Sequence, residues 1–291
     1  MSTKSESPTK TRLRPRRLTP RDVRIIRLVA ELRIATVRQV TLLEFGEANR
    51  SRAQTRLHAS RHAGYLDVLP GRAPNEPAVY VVSRRGQRHF DLEVGGSVPV
   101  RRASVARLHH DLAINDCRVQ IIRAGREPGV DLLRWVTEAE LRPITLPHGL
   151  VPDAFFQVAR RAGETSPKSS YFLEVEVSEK GEAALRQKLT NLGAYYYGGR
   201  FERDFATRAL RVLIVVKTDH GASGSRLVRR ITNLAAQVGV TFVRVTPLST
   251  FLSIPPAELF LRPVWTQPGI DGVVALFPGG EQRGQSQQEA A

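Results

Sequence analysis

Cysteine and methionine each occur once in the 291 residues, as Cys117 and Met1. A lone cysteine excludes an internal disulfide and any zinc site built from a cysteine cluster, and its apolar helical surroundings mark a buried thiol. There are seven histidines, none in an HExxH or related spacing, so zinc is left out. No apolar run approaches the roughly 20 residues of a membrane span. The polar, basic start, MSTKSESPTKTRLRPRR, lacks the apolar centre of a secretory signal, which predicts a cytoplasmic protein with no membrane partner. Neither a GxxxxGK[ST] loop nor a GxGxxG turn occurs, so a nucleotide cofactor is not expected. Internal repeats are also missing.

Acid is in short supply as well. The 44 basic and 28 acidic residues leave a net charge of +16. The first hundred residues hold 19 basic and 9 acidic side chains, and so carry most of the excess. Lysine is scarce, at 6 of the 44, and the remaining 38 are arginine, the side chain that grips phosphate and guanine bidentately. A polyanion is the expected partner, and double-stranded DNA the leading one.

Residues 1–17 are polar, basic and Pro-containing, and read as a disordered basic arm. Residues 18–95 read as a DNA-binding domain. Thr19 and Pro20 start a helix near 20–33, Thr36 caps a second, and a third near 47–62 ends at Gly64. Two short strand-like runs, 65–69 and 79–82, flank the turn-rich PGRAPNEPA, and Ser83 caps one more helix. Three helices followed by a hairpin describe a winged helix-turn-helix, whose third helix enters the major groove. Arg50, Arg52, Gln54 and Arg56 would contact DNA from that helix, and Arg72 from the wing. A solvated face on a protein-binding module would have the same composition.

Residues 96–103 read as a linker, 104–248 as a second domain, and 249–291 as an extension whose end is disordered. The second domain reads as a helix (104–124), three strands, a helix, a strand, a helix and a strand, with a basic loop at 199–208. LRVLIVV, at 210–216, shows no polar alternation and so predicts a central strand covered on both faces. Its middle carries acids inside strands. VPDAFFQV contains Asp153 and YFLEVEV contains Glu174 and Glu176, and buried carboxylates need a partner. Strand alternation puts Glu174 and Glu176 on one face. Lys188, on the following helix, is the cation placed to meet the three acids. A half-exposed edge strand with solvated glutamates is the other reading. The tyrosines at 195–197 read as packing.

This order, with Pro152-Asp153 on one strand and Glu174-Val175-Glu176 on the next, resembles the PD-(D/E)xK nuclease fold, a mixed sheet flanked by helices. The resemblance implies Asp153, Glu174 and Glu176 as ligands for Mg²⁺ or Mn²⁺, and Lys188 as the catalytic lysine. Here Glu176 stands where the fold's lysine is expected, and Lys188 comes from the next helix instead. LTPRDVRIIRLV, LHHDLAIND, LVPDAFF, FLEVEV and the K-x6-Y helix together resemble the replication-relaxation family of plasmid, phage and mobile-element proteins. That resemblance spans residues 18–248 and implies DNA binding tied to replication or relaxation. Two functions stay open: a metal-dependent deoxyribonuclease, or a non-catalytic replication or transcription regulator whose degenerate nuclease-like domain serves homodimerisation or protein contact.

Overall fold

The computed structural model describes residues 18–69, 76–92, 104–161, 166–177, 181–218 and 221–277, without the side chains of 221 and 222. They fall into two compact units divided between Arg102 and Ala103.

The first unit opens with α1 (Pro20–Leu32), β1 (Ala35–Thr36) and α2 (Val37–Glu44), followed by α3 (Arg50–His62). Local chemistry sets each start. Thr19 and Asp22 form a reciprocal capping box, with Thr19 N donating to Asp22 Oδ2 at 2.9 Å. Thr36 and Gln39 form a second, with Thr36 N donating to Gln39 Oε1 at 3.0 Å. Each box satisfies backbone donors that the first turn leaves unpaired. Ile25, Ile26, Val29, Val40, Ala53 and Leu57 recur at helical spacing and are fully buried.

The chain leaves α3 through Gly64, at φ +78°, into β2 (Leu66–Val68). β2 pairs antiparallel with β3 (Val79–Val82), and β1 pairs with β3 on its other side. The two-residue β1 makes a third strand that the apolar pattern does not signal. α4 (Arg84–Phe90) follows, capped by Ser83 Oγ, which accepts from Gly86 N at 2.9 Å.

The second unit is a five-stranded mixed sheet between two helical layers, compatible with a nuclease-like domain. α5 (Val105–Ala124) leads into β4 (Val130–Thr137), α6 (Glu138–Thr145), β5 (Ala154–Arg160) and β6 (Lys168–Glu176). Then come α7 (Glu182–Tyr197), α8 (Arg200–Phe205), β7 (Leu210–Val216), α9 (Gly221–Gln237), β8 (Val243–Pro247) and α10 (Leu248–Ser253). Strand order is β4-β5-β6-β7-β8, with the first two pairings antiparallel and the last two parallel. β6 is therefore the central strand, not an edge, and β7 lies inside the sheet.

Side-chain alternation along these strands builds two cores. Phe155, Phe172, Val212 and Ile214 pack with Leu185, Leu189 and Leu192 of α7 and Ile231 of α9. Phe156, Tyr171, Leu173 and Val215 pack with Cys117 and Ile121 of α5 and Phe251 of α10. The basic stretch 199–208 is not a loop, as its composition suggests. Residues Arg200–Phe205 are helical because Phe201 and Phe205 reach the core, where Phe205 lies 4.4 Å from Phe155 and 5.6 Å from Phe172, ring centre to centre.

Candidate functional site

Three acids and one lysine gather where β5, β6 and α7 meet. Asp153 immediately precedes β5, and its backbone N–H donates to Leu173 O at 3.0 Å, which carries the β5/β6 pairing one position further. Its side chain then turns back on β6, where Oδ2 accepts from Val175 N at 2.7 Å. Glu174 and Glu176 project from β6 on the face that packs against α7, as alternation requires. All three acids are buried, at 9%, 7% and 6% exposure, so the solvated-edge reading fails.

Lys188 meets them from α7. Its Nζ donates to Glu174 Oε2 at 2.7 Å, and its side chain is 28% exposed. Burial alone would lower the Lys188 pKa. The charge and hydrogen bond of Glu174, then the charges of Asp153 and Glu176, outweigh that and hold it above its ordinary value. One ammonium thus sits in the field of all three carboxylates. The narrow cleft among Leu150, Glu174, Glu176, Lys188 and Ile214 has a volume of about 10 Å³, room for roughly one water-sized group.

His110, present in the sequence reading only within the LHHDLAIND stretch, belongs here too. Its Nε2 lies 2.9 Å from Asp153 Oδ1. Burial would lower the His110 pKa, but the bond to Asp153 and its charge raise it on balance. The adjacent Arg107, one helical turn from Asp111, bonds Asp111 at 2.8 Å and Glu138 at 2.6 Å and also lies in the field of Asp153. Only the LHHD text of the helix hinted at His110, which lies 43 residues from Asp153 in the chain.

The donor set is all oxygen, which suits a hard cation such as Mg²⁺ or Mn²⁺ rather than zinc. Among the described residues, no three His, Cys, Asp or Glu side chains are grouped so as to hold a metal ion. Magnesium ordinarily takes one or two carboxylates and completes its shell with water and phosphate. Each Asp153 oxygen accepts one hydrogen bond and keeps a further lone pair, so its carboxylate can take a further contact of that kind.

The three tyrosines are structural, as expected of packing residues. Tyr195 OH donates to Asp204 Oδ2 at 2.5 Å, Tyr196 OH to Arg208 O at 3.0 Å and Tyr197 OH to Gly239 O at 2.9 Å. Burial first, then Asp204, pushes the Tyr195 pKa far up, which makes it a poor nucleophile.

In the first unit, Arg50, Arg52 and Gln54 are exposed along α3. Arg56, expected to face DNA with them, is only partly exposed. Its Nη1 lies 3.3 Å from both carboxylate oxygens of the buried Asp22, so it ties α3 to the start of α1. Arg72 lies outside the described residues, as do 1–17, the whole of the expected linker and the end of the tail.

The family model for replication-relaxation proteins matches residues 26–208. No curated protein matches the chain. Among solved structures, the restriction endonuclease FokI bound to DNA is similar at 9% identity and a TM-score of 0.28, over 82% of this chain and 44% of that one. The family match takes in α2, α3, the β2/β3 pair and the whole acid and lysine constellation, and with well over half of the sequence covered, this chain belongs to the replication-relaxation family.

Proposed function

We propose that this is a DNA-binding protein of plasmid or mobile-element replication whose second unit hydrolyses phosphodiester bonds with a divalent metal. The observation that carries the reading is the buried Asp153, Glu174 and Glu176 in the field of one lysine at 2.7 Å from Glu174. Lys188 on Glu174 and His110 and Arg107 near Asp153 compensate part of the charge of the three desolvated acids, and a divalent cation joining Asp153 and Glu174 would add to that compensation. Asp153 and Glu174 would hold Mg²⁺ or Mn²⁺. The metal would neutralise charge on a scissile phosphate and favour the ionised form of water. Val175 N–H and His110 orient the Asp153 carboxylate, and Lys188 fixes Glu174 while offering a proton donor beside it.

DNA recognition is assigned to the first unit as a winged helix-turn-helix, with α3 as the reading helix and the β2/β3 turn as the wing. Support comes from the order α1, α2, α3, hairpin, from the exposed Arg50, Arg52 and Gln54, and from the arginine-rich charge excess.

Two observations favour the regulator reading: Glu174 is already paired with Lys188, and no three-ligand cluster occurs among the described residues. Thermal unfolding of the full chain against Mg²⁺ or Mn²⁺ separates the two. Metal held by the native state alone stabilises it by RT ln(1 + [L]/Kd), about 2.7 kcal/mol at a hundredfold excess. The nuclease reading expects a metal-dependent rise in Tm that Asp153→Asn removes. An unchanged Tm at millimolar metal supports the regulator.

A further inference from the structure

A second cluster of charge lies at the other end of the same sheet. Arg208 and Arg211 sit at the start of β7, and Arg244 at the start of β8. With Tyr196, Phe242 and Gln267 they line an open cavity of about 340 Å³. Tyr171, the register partner of Arg211 on β6, lies five residues before Glu176, or about 16 Å at the strand rise. The cavity is therefore separate from the acid and lysine cleft.

No carboxylate lines it among the described residues. Arg244 is fixed from one side, where its Nη1 donates to Thr241 O at 3.2 Å and Val243 O at 3.0 Å. Its Nε is buried with no hydrogen-bond partner among the described residues. An unsatisfied buried donor on a cation is costly and calls for explanation. Burial, and then the charge of Arg211, pull the Arg244 pKa down to about 10. Beside them stands an aromatic wall, with Tyr196 and Phe242 ring centres 4.3 Å apart. The hydroxyl of Tyr196 donates to Arg208 O at 3.0 Å.

We propose that this cavity binds one phosphate-bearing nucleotide, its phosphate against Arg211 and Arg244 and its base or sugar against Tyr196 and Phe242. Guanidinium groups pair with phosphate oxygens through short, charge-assisted bonds. Cations next to aromatic faces are the recurring surface for single-stranded nucleic acid, where bases stack irrespective of sequence. The volume falls in the range of small-ligand sites and suits a single nucleotide. The nucleotide can come from a strand end or from a free monophosphate, with the same contacts.

The test uses the full chain in EDTA, which removes any contribution of a divalent metal at the acid cleft. Binding is measured for one single-stranded oligonucleotide with and without a 5′-phosphate, and for a deoxynucleoside monophosphate as competitor. The expected result is about tenfold tighter binding of the phosphorylated strand, lost in Arg211→Gln. Competition by the monophosphate, with no strand preference, instead identifies the free nucleotide as the source. Arg208→Gln is the second variant. Arg208 is largely exposed and pairs with Glu202, so its removal tests the cavity without endangering the fold. If phosphorylated strand and monophosphate bind the wild type no better than both variants, at unchanged Tm, the proposal is overturned.

Discussion

Two arginine positions on α3 with similar sequence context are placed differently, Arg52 exposed and Arg56 against Asp22. Arg56 bonds Asp22, whose side chain is 2% exposed and which also closes the capping box with Thr19. Arg56→Ala is expected to destabilise the protein by about 1–2 kcal/mol, as a partly buried pair loses one member. Chemical denaturation reads that loss. Arg52→Ala should leave stability within about 0.5 kcal/mol and instead lower the salt dependence of DNA affinity. At Lys188 the expectation is a larger cost. Lys188→Met strands Glu174 and should destabilise by about 3 kcal/mol, and adding Glu174→Gln should recover most of it. A double-mutant cycle with no coupling would remove the pair from the stability account. Much of this site was readable beforehand. Period-two spacing put Glu174 and Glu176 on one face, and helical spacing brought Lys188 toward them. His110 and Arg56 were not readable, because their partners lie 43 and 34 residues away and no local period encodes such a distance.

Elements with strong local chemistry were equally legible. The Thr36 cap, the Ser83 cap and the unbroken apolar run of β7 all have their causes within a few residues. β1, α6 and α8 did not stand out, because two to eight residues cannot stabilise themselves and depend on packing. α8 exists through Phe201 and Phe205, and a reading weighted to its charged residues misses that. α6 starts at a Thr137/Glu140 capping box, with Thr137 N donating to Glu140 Oε2 at 2.8 Å. α4 offers the sharpest test of element packing. A Cβ added at Gly86 would lie 2.3 Å from Tyr65 O and 2.8 Å from Val82 Cγ1, and backbone cannot yield as a side chain can. Gly86→Ala is expected to cost at least about 2 kcal/mol by forcing α4 off β2 and β3. A change below 0.5 kcal/mol on denaturation would show that α4 is free to shift.

At the scale of the whole molecule, charge and the buried acids pull in opposite directions. The excess of 16 positive charges would attract a polyanion, while the cleft holding Asp153, Glu174 and Glu176 would oppose one unless a further cation joins Lys188 there. DNA affinity of the full chain should fall steeply with salt, with a log-log slope near −0.9 per phosphate contacted. Arg50→Ala and Arg52→Ala should each reduce that slope by about one unit. A slope near zero would detach the positive charge from DNA binding. No helix among the described residues is long and apolar enough to cross a membrane. The central claim concerns the cleft, and supercoiled plasmid tests it most directly. Wild-type protein with Mg²⁺ or Mn²⁺ is predicted to convert the plasmid to nicked or linear form. EDTA should stop the reaction, and Glu174→Gln should slow it at least about a hundredfold at unchanged DNA affinity. Plasmid that stays supercoiled with either metal, or is cut equally well by Glu174→Gln, would contradict the account.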